Sequence, residues 1–584
     1  MTTPPNVTLP SPLPQSVLRR LTGTAGISPL EALRNVTTEP TEIEDFRPLA
    51  ECLEWRLADV YWDGAGVIPF VRNDVPYLVN NTGRLSENAA ALVFAAFNEL
   101  RSSLPEQLTI LELGAGTGLH ARYFLDAFAA LGREAGSDFY DRLTYVVTDR
   151  FGRTVTGWEQ TGLFAEHEGH VALRVCDAAA PSELLVPGGG VASSFGAPLV
   201  VFCNYLLDVL PSRIARRAVG GLEQLCVRTH LVGGAAALKL AGLASLDEAR
   251  ALAAGGGSAD LTRLLPLFPQ LDFETAFRPW TPSAGADEAL ASAISGDDRA
   301  IINGGALECL GKLLNLLHES GFVVVNDYGP VRFEDVASHI GVQRFGGSVA
   351  LGLNFPLLEQ VLVKRGLTVL APEGDEQRRV HTRLIAQKVG EETAGVLRSR
   401  FRLESEKHLD APLEEARGHV AAGRTNEAVA AYRVVVERNP RDWQMLGEAA
   451  EYVGLQLRDY AAGLEIARAA LERNPWCSAW LWNVFGDCLF CREKYDEAHE
   501  AFHQAQRIDP DDPRTNLNLA YTFSVQGSMD EALAAIARGL AQDGRGRGAY
   551  RARLLEKQGQ ILAILSERAS TEQERLVKRS ERFR

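Results

Sequence analysis

Apolar runs that alternate with helical segments between residues 106 and 365 constrain the fold of this chain more than any other feature. The runs are rich in Val, Ile and Leu, which is typical of strands buried on both faces of a parallel sheet. Parallel neighbours need helical crossovers, so the pattern predicts an α/β Rossmann-like domain with helices on both faces of the sheet. The predicted strands are LTILEL (108–113), LTYVVTD (143–149), VALRVCD (171–177), PLVVFCNY (198–205), GFVVVNDYG (321–329), VALGLNF (349–355) and GLTVLAP (366–372).

A long segment, 213–318, interrupts this alternation between the fourth and fifth strands. It is too long for a crossover and therefore predicts an insertion, which either builds a lid over a substrate or only elaborates the fold. We place the α/β domain at 106–372 with this insertion. The flanking segments are predicted as a disordered lead (1–39), a helical N-terminal region or lid (40–105) and a helical linker (373–410).

The last third of the chain repeats with a period of about 35 residues. Similar segments end at Pro440, Pro475 and Pro510, in steps of 35 residues. Small residues recur with nearly the same spacing at Ala428, Gly463, Ala498 and Ala532. This layout resembles tetratricopeptide repeats and predicts an all-α solenoid of four units over 411–545. A capping helix and a charged tail are predicted for 546–584.

Charge and composition exclude several classes of function. The net charge of −15 argues against broad binding of nucleic acid or of an anionic membrane. No run of about 18 apolar residues is present, so no transmembrane span is predicted. Eight scattered cysteines suit reduced thiols and a cytoplasmic protein. Cys488 and Cys491 form a single CxxC without further ligands at zinc spacing, which favours core packing over a metal site.

A glycine-rich turn, LELGAGTG (111–118), directly follows the first predicted strand. Such turns bring the backbone close to a ligand in both dinucleotide and S-adenosylmethionine enzymes. Glu112 precedes Gly114 by two residues, and its carboxylate would repel a pyrophosphate but attract the ammonium group of S-adenosyl-L-methionine. The sequence therefore predicts S-adenosyl-L-methionine as cofactor and S-adenosyl-L-homocysteine as product. The turn contributes Gly114, Ala115, Gly116 and Gly118 to the predicted cofactor site.

Acidic residues at two further strand ends support the same cofactor. Asp149 ends the second strand, where a carboxylate can accept both ribose hydroxyls, and Asp177 ends the third, where it can read the adenine edge. Arg150 and Ala178 follow them directly and complete the predicted cofactor site. Capping of the next helix is the alternative for either Asp alone. Their coincidence with Glu112 and the glycine turn favours the cofactor site.

With these motifs the chain resembles a class I S-adenosylmethionine-dependent methyltransferase, and more narrowly the MidA family. Mitochondrial members of that family are complex I assembly factors that methylate a protein arginine. The resemblance covers roughly residues 50–370 and excludes the repeats. It is carried, in order, by ILELGAGTG, FYDRLTYVVTDR, CNYLLDVLP (203–211), VVVNDYGP (323–330) and GGSVALGLNFPLLE (346–359).

The segment CNYLLDVLP matches the family motif N-E-x-x-D-A-L-P at Asn204, Asp208 and Pro211. Tyr205 stands where the family has Glu, and it lacks the two oxygens that bind a guanidinium in bidentate fashion. We predict Asp208 as the substrate-orienting or basic carboxylate, Asn204 as a hydrogen-bond partner of donor or substrate, and Tyr205 as an aromatic wall or hydroxyl donor. Helix capping is the alternative role for Asp208.

Some further residues are weaker candidates. Asp327 and Tyr328 follow the fifth strand and are second-rank site residues. A polar loop with Asn80, Asn81 and Arg84 either covers the site or is an ordinary surface turn. Trp476, Trp480 and Trp482 either form a recognition patch on the repeats or pack between them.

Three functions remain open from the sequence. The first is a cytoplasmic methyltransferase whose repeats recruit a protein or peptide substrate. The second is a methyltransferase with a small-molecule acceptor in a biosynthetic pathway, in which the repeats serve assembly or homo-oligomerisation. The third is a cofactor-binding but non-catalytic assembly factor or scaffold, which the Tyr205 departure keeps open.

Overall fold

The computed structural model describes residues 40–72, 74–75, 82–184, 196–292, 294, 299–345, 347–401, 403–543 and 550–581. Two compact units are present: an α/β unit whose described residues extend from Pro40 to His408, and a helical unit whose boundary, at Leu409, falls within the helix Leu403–Ala421. None of the helices in these ranges combines the length and the apolar composition needed to cross a membrane.

The α/β unit contains strands and helices in alternation, together with a largely antiparallel region. Its strands are β1 Thr41–Pro48, β2 Leu108–Leu113, β3 Leu143–Asp149, β4 Val171–Val175, β5 Val200–Asn204, β6 Arg213–Ala218, β7 Gly221–Leu231, β8 Leu271–Trp280, β9 Arg299–Ile302, β10 Phe322–Asp327, β11 Gln343–Phe345, β12 Ser348–Ala350, β13 Thr368–Leu370 and β14 His381–Ala386. Its helices are α1 Leu53–Ala65, α2 Ile68–Val71, α3 Arg84–Glu99, α4 Leu119–Ala135, α5 Gly152–Thr161, α6 Gly234–Leu240, α7 Leu246–Gly255, α8 Ser258–Leu264, α9 Ala286–Ser292, α10 Gly304–Leu316, α11 Phe333–His339, α12 Phe355–Lys364 and α13 Glu391–Arg400.

Seven strands form the central sheet in the order β13-β14-β10-β5-β2-β3-β4. The pairings among β2, β3, β4, β5 and β10 are parallel, whereas β14 is antiparallel to both of its neighbours. Strands β2, β5 and β10 are buried along their whole length, as their continuous apolar sequences predicted. The Rossmann-like fold predicted from the sequence is thereby confirmed. The strand order reverses between β2 and β5, and ligands of open α/β sheets bind at such a switch point.

The prediction of a helical linker over 373–410 was wrong for its first half. Strand β14 lies there and fills the gap between β10 and β13. Its sequence, HTRLIA, begins with polar residues and so lacks the apolar run of the other central strands. The guanidinium of Arg383 is nevertheless buried, because it bonds to the carboxylate of Asp375 at 2.6 Å.

A second sheet, of order β1-β7-β6-β9 with β8 beside β7, is built from the insertion and the N-terminal region. Strand β1 pairs antiparallel with β7, so the prediction that 40–105 is helical fails at its start. The inserted part also ends before 318, because α10 contributes Leu307, Leu310 and Leu313 to the core beside the central sheet. The predicted strand at 349–355 is instead the short hairpin strand β12, paired with β11.

The helical unit consists of antiparallel helix pairs followed by one long helix. Its helices are α14 Leu403–Ala421, α15 Thr425–Arg438, α16 Trp443–Glu451, α17 Tyr460–Arg473, α18 Ala479–Cys491, α19 Tyr495–Ile508, α20 Pro513–Gln526, α21 Met529–Asp543 and α22 Arg551–Glu581. The small residues that define the period are fully buried at Ala428, Ala498 and Ala532. A larger side chain there would keep the two helices of a repeat apart, which explains why small residues recur with this spacing in the sequence.

The tryptophans and the CxxC pair of the repeats take part in internal packing. Trp480 Nε1 donates to Glu451 Oε2 at 3.0 Å, and Trp482 Nε1 donates to the carbonyl oxygen of Pro475 at 2.9 Å. Cys488 lies in the hydrophobic core of the repeats. These contacts support the packing alternative for Trp480 and Trp482 over an exposed recognition patch.

Candidate functional site

A cavity of about 190 Å³ lies at the carboxyl ends of β2, β3 and β5, at the switch point of the central sheet. It is mostly apolar, with a few convergent polar groups, which is the usual character of a small-molecule site. The predicted site residues that line it are Gly114, Gly116, Asp149, Arg150, Asp177, Ala178, Asn204, Tyr205 and Asp208. The structure therefore brings most of the predicted cofactor residues and all three predicted catalytic residues to one place.

The glycine turn between β2 and α4 needs its glycines for two different reasons. Gly114, Gly116 and Gly118 all have positive φ, at 63°, 56° and 76°. A Cβ on Gly118 would lie 2.7 Å from Leu163 Cδ2, so this glycine serves packing against the following helices. Gly118 and the buried Ala115 do not line the cavity, contrary to the sequence prediction. Only the Gly114 and Gly116 backbone forms its wall.

Asp149 ties the end of β3 to this turn. Its Oδ2 accepts the Gly116 N–H at 3.2 Å and its Oδ1 accepts the Phe151 N–H at 3.0 Å. Burial raises the pKa of the Asp149 carboxyl to about 6. Each oxygen keeps a further lone pair, so the carboxylate can accept hydrogen bonds from a ligand in the cavity.

Arg150 bridges two acidic residues at the rim of the cavity. Its Nη1 donates to Asp59 Oδ1 at 3.1 Å, and its Nε lies 3.3 Å from Asp177 Oδ2. Asp177 Oδ1 also accepts the Ala179 N–H at 2.8 Å. The rim is thus a half-exposed chain of charges that orients Asp177 at the end of β4.

Glu112 does not line the cavity, contrary to the prediction that it attracts the cofactor's ammonium group. Its side chain is fully buried, and both oxygens are engaged within the sheet. Tyr145 Oη donates to Oε2 at 2.9 Å, and Asn204 Nδ2 donates to Oε1 at 3.0 Å. The physical reason is the pleat of β2, which turns the Glu112 side chain into the layer beneath the strand ends.

Two carboxyl groups meet beside the cavity: Asp208 lines it, and Asp327 is buried and does not line it. Asp327, at the end of β10, accepts the backbone N–H groups of Leu207 at 3.0 Å and Asp208 at 3.2 Å. Burial raises the pKa of Asp208 and raises that of Asp327 well above its ordinary value, the latter also because it faces Asp208. The two carboxyl groups lie close enough for their titrations to be linked. Such a pair holds a proton that either carboxyl can carry.

One oxygen of the Asp208 carboxyl group is available for a ligand. Asp208 Oδ1 is buried and has no hydrogen-bond partner among the described residues. A buried acceptor without a partner is costly unless a ligand uses it. Asp208 lies within the single 3₁₀ turn Leu207–Val209, whose N-cap position is occupied by Leu206.

Tyr205 has φ of 51°, a left-handed conformation that is unfavourable for an aromatic residue. Its N–H donates to the Asn326 carbonyl oxygen at 2.8 Å, which fixes the backbone there. The Tyr205 ring lies 5.0 Å from that of Tyr328, and both rings line the cavity. Strained residues are concentrated at functional sites, and the strained backbone of Tyr205 places its aromatic ring in the cavity wall.

Sequence reasoning missed the aromatic wall supplied by the N-terminal helices. Trp55, Asp59 and Trp62 of α1 line the cavity together with Phe70 of α2. The first three are spaced i, i+4 and i+7, the spacing of one helix face, and this signal was available in the sequence. Of the predicted polar loop, Asn80 and Asn81 lie outside the described residues, and Arg84 begins α3 away from the cavity lining.

Comparison with known proteins identifies both parts of the chain. Residues 90–366 match the family described as "Putative S-adenosyl-L-methionine-dependent methyltransferase". Residues 413–475 and 489–557 match tetratricopeptide repeats. No curated protein shows a significant match.

Solved structures show weaker similarity. An uncharacterised protein from Burkholderia thailandensis is 17% identical over 62% of this chain and 80% of that chain, with a TM-score of 0.34. A superfamily member from the same organism, bound to S-adenosyl-homocysteine, is 16% identical over 62% of this chain and 81% of that chain, with a TM-score of 0.35. A thermophilic tetratricopeptide-repeat protein of Thermus thermophilus is 25% identical over 26% of this chain and 84% of that chain, with a TM-score of 0.23.

Residues 90–366 therefore fall within a family of S-adenosyl-L-methionine-dependent methyltransferases, joined to a tetratricopeptide-repeat array. The family match confirms the resemblance seen in the sequence motifs and the cofactor predicted from the glycine turn. With TM-scores below 0.5, the structural similarities do not carry this assignment.

Proposed function

We propose that this chain is a cytoplasmic enzyme that transfers a methyl group from S-adenosyl-L-methionine to a protein or peptide recruited by its repeats. The observation that carries the proposal is the environment of the Asp208 carboxyl group. Its unpartnered, buried oxygen lies in the same cavity as Asp149 and the glycine turn. An acceptor bound beside the methyl donor would find a proton acceptor there.

The residues at the switch point fit this cofactor. Asp149 would accept the ribose hydroxyls, because both of its oxygens keep a lone pair after bonding to the turn. Asp177, oriented by Arg150 and the Ala179 N–H, would lie at the adenine end. The positive-φ glycines let a ligand approach the backbone of the turn.

S-adenosyl-L-methionine supplies a methyl group on a positively charged sulfonium, which leaves S-adenosyl-L-homocysteine. The chain has to align an acceptor lone pair with that methyl carbon and remove the acceptor's proton. Asp208 would take the proton on Oδ1 and share it with Asp327. Tyr205, Tyr328 and Trp62 would wall the path and exclude water.

Substrate recruitment by the repeats is the finer part of the proposal. Tetratricopeptide arrays present extended surfaces that are used for protein interactions. An enzyme joined to such an array has a ready means of selecting a protein acceptor.

A small-molecule acceptor is the second candidate, and the cavity walls favour it. Aromatic side chains from α1 and α2, together with Tyr205 in place of an acidic residue, suit a flat, largely apolar acceptor.

Two measurements test the proposal in order. Titration of the full-length chain with S-adenosyl-L-homocysteine should show binding, and its absence would rule out a methyltransferase. Incubation with donor carrying a labelled methyl group and cell lysate should then label protein. Label only in the small-molecule fraction would favour the second candidate, and label in neither fraction would favour a non-catalytic scaffold.

Asp208→Asn and Asp247→Asn form a matched pair for the labelling assay. Both changes remove one carboxylate, but Asp247 is exposed on α7 and does not line the cavity. Only Asp208→Asn should abolish labelling. Equal activity in the two variants would contradict the role given to Asp208.

A further inference from the structure

Five polar side chains form a hydrogen-bonded row across five neighbouring strands, directly beneath the strand ends that form the cavity. Thr382 Oγ1 donates to Asn326 Oδ1 at 2.7 Å, and Asn326 Nδ2 donates to Asn204 Oδ1 at 2.8 Å. Asn204 Nδ2 then donates to Glu112 Oε1 at 3.0 Å, and Tyr145 Oη donates to Glu112 Oε2 at 2.9 Å. The strands are β14, β10, β5, β2 and β3, and each contributes one residue.

The hydrogen bonds from Thr382 through Asn326 and Asn204 to Glu112 all run in the same donor-to-acceptor direction. A carboxylate only accepts hydrogen bonds, so Glu112 requires the N–H side of Asn204. That choice turns the Asn204 carbonyl towards Asn326 and requires the N–H side of Asn326 in turn. Thr382 completes the sequence as a donor. One acidic residue thereby determines the orientation of two carboxamides that are otherwise symmetric in shape.

Burial makes a reversed orientation costly. All five side chains are at most 1% exposed, so no bulk water can replace a lost partner. A flipped Asn204 would place its oxygen against the Glu112 carboxylate and its N–H group against that of Asn326. His120 is the other titratable neighbour, with Nδ1 3.2 Å from Glu112 Oε1 on the same side as Asn204.

Asn204 is the one member of the row that also lines the cavity. After its two internal bonds it keeps one N–H and one oxygen lone pair. Their positions relative to a bound molecule depend on which way the carboxamide is held.

We propose that Glu112 is a positioning residue that holds the Asn204 carboxamide in the orientation that binds the S-adenosyl donor. Glu112 itself does not contact the donor. The inference rests on the proposed function, and the row explains why an acidic residue precedes the glycine turn although it is hidden from the cavity.

The test is titration of full-length variants with S-adenosyl-L-homocysteine, with thermal unfolding measured in parallel. In Glu112→Met, the Asn204 N–H group loses its acceptor while the side-chain volume is nearly kept, so a flipped Asn204 becomes populated. We expect affinity to fall by about tenfold. Tyr145→Phe alone keeps the carboxylate and should bind within about twofold of the wild type.

Glu112→Gln gives the deciding measurement. Its amide oxygen can accept from Asn204 while its N–H group donates to the Tyr145 hydroxyl, so the orientation of Asn204 is kept without the charge. Affinity should therefore stay within about twofold of the wild type even if the unfolding temperature falls. A purely structural role for Glu112 predicts that affinity follows the unfolding temperature in both variants, and an equal loss of affinity in Glu112→Gln and Glu112→Met would overturn the inference.

Asn326→Asp tests the same orientation from the other side if Glu112→Met does not fold. When protonated, the new carboxyl still donates to Asn204 Oδ1, whereas when ionised it only accepts and competes with Glu112 for the N–H side of Asn204. Affinity should therefore fall by about tenfold as the pH rises from about 7 to about 9 and the new carboxyl ionises. Wild-type affinity over that whole pH range in folded Asn326→Asp would contradict the inference. Lack of binding by the wild type would instead refute the proposed function, which keeps the two failures distinct.

Discussion

Two clusters of buried acidic side chains, one in each unit of this chain, differ in whether a cation accompanies them. In the repeats, Arg514 of α20 pairs with Glu451 of α16 at 2.9 Å and with Asp487 of α18 at 2.8 Å. One cation therefore joins three successive repeats. In the α/β unit, Asp208 and Asp327 face each other and form no salt bridge to a Lys or Arg in the described part of the chain. The buried acidic residues that pair with a cation stabilise the repeat array. The buried acidic residues that lack a cation leave a carboxyl oxygen that can still bind a ligand.

The largest effect is expected from breaking the repeat side of this comparison. Arg514→Met leaves Glu451 and Asp487 buried without their cation, which should lower the free energy of unfolding by about 3–5 kcal/mol. Urea unfolding monitored by circular dichroism measures the change. Arg507→Met is the matched control, because the Arg507–Glu500 pair is exposed and should contribute less than about 1 kcal/mol. Equal effects of the two variants would contradict the comparison.

The next effect concerns rate rather than stability. Asp208→Asn removes the proposed proton acceptor and should lower methyl transfer by about 100-fold or more. The free energy of unfolding should not fall, since burial already disfavours the ionised Asp208. Wild-type activity should rise with pH as the pair loses its shared proton, and this rise should disappear in Asp208→Asn. Loss of stability without loss of rate would show that Asp208 has a structural role, like Glu451 and Asp487 in the repeats.

A smaller effect follows from Asp149. Burial raises its pKa to about 6, so the carboxylate that we propose to accept the ribose hydroxyls is protonated below that pH. Affinity for S-adenosyl-L-homocysteine should therefore fall by up to about tenfold per pH unit below about 6. Asp149→Asn should bind weakly at every pH, without this dependence. An equally steep dependence in the variant would assign the titration to another group.

The same pKa shift has a consequence for folding. Because the folded pKa is higher than the unfolded one, protonated Asp149 stabilises the fold. That contribution is complete below the ordinary Asp range and is lost as pH rises through about 6. Cofactor binding and fold stability should therefore respond to pH in opposite directions, which parallel titration and thermal unfolding would reveal.

The smallest effect tests a position where the two units should behave alike. Gly395 of α13 and Gly559 of α22 lie within helices, and a Cβ at either position would contact nothing within 4 Å. Substitution by Ala should raise the free energy of unfolding by about 0.5–1 kcal/mol in each case. Destabilisation of one variant in urea unfolding would show that its unit makes a contact there.

The sequence predicted those elements that depend on continuous apolar patterns or on a repeat. Strands β2 and β3 begin and end as predicted, and the repeat helices follow the 35-residue period. Strand β14 was missed because its polar side chains are buried by partners distant in sequence, such as Asp375 for Arg383. Patterns within one segment cannot reveal a polar residue that becomes buried through tertiary pairing.

The site was predictable to the level of strand ends but not to the level of side-chain direction. Asp149, Asp177 and Asp208 lie in the cavity because strand ends converge at a switch point. Glu112 was assigned to the ligand on the basis of charge, yet the strand pleat directs it into the polar row. Trp55 and Trp62 were missed because the path of the N-terminal region relative to the sheet is a tertiary property.

The position of β14 has a consequence for the order in which the α/β unit is completed during synthesis. This strand is the last of the central sheet to leave the ribosome, yet it lies between two strands made earlier, β10 and β13. Until residues 381–386 emerge, those strands lack their common neighbour, and the polar row lacks Thr382. The nascent chain should therefore acquire affinity for the methyl donor only after this late segment has docked, when the repeats are already being translated.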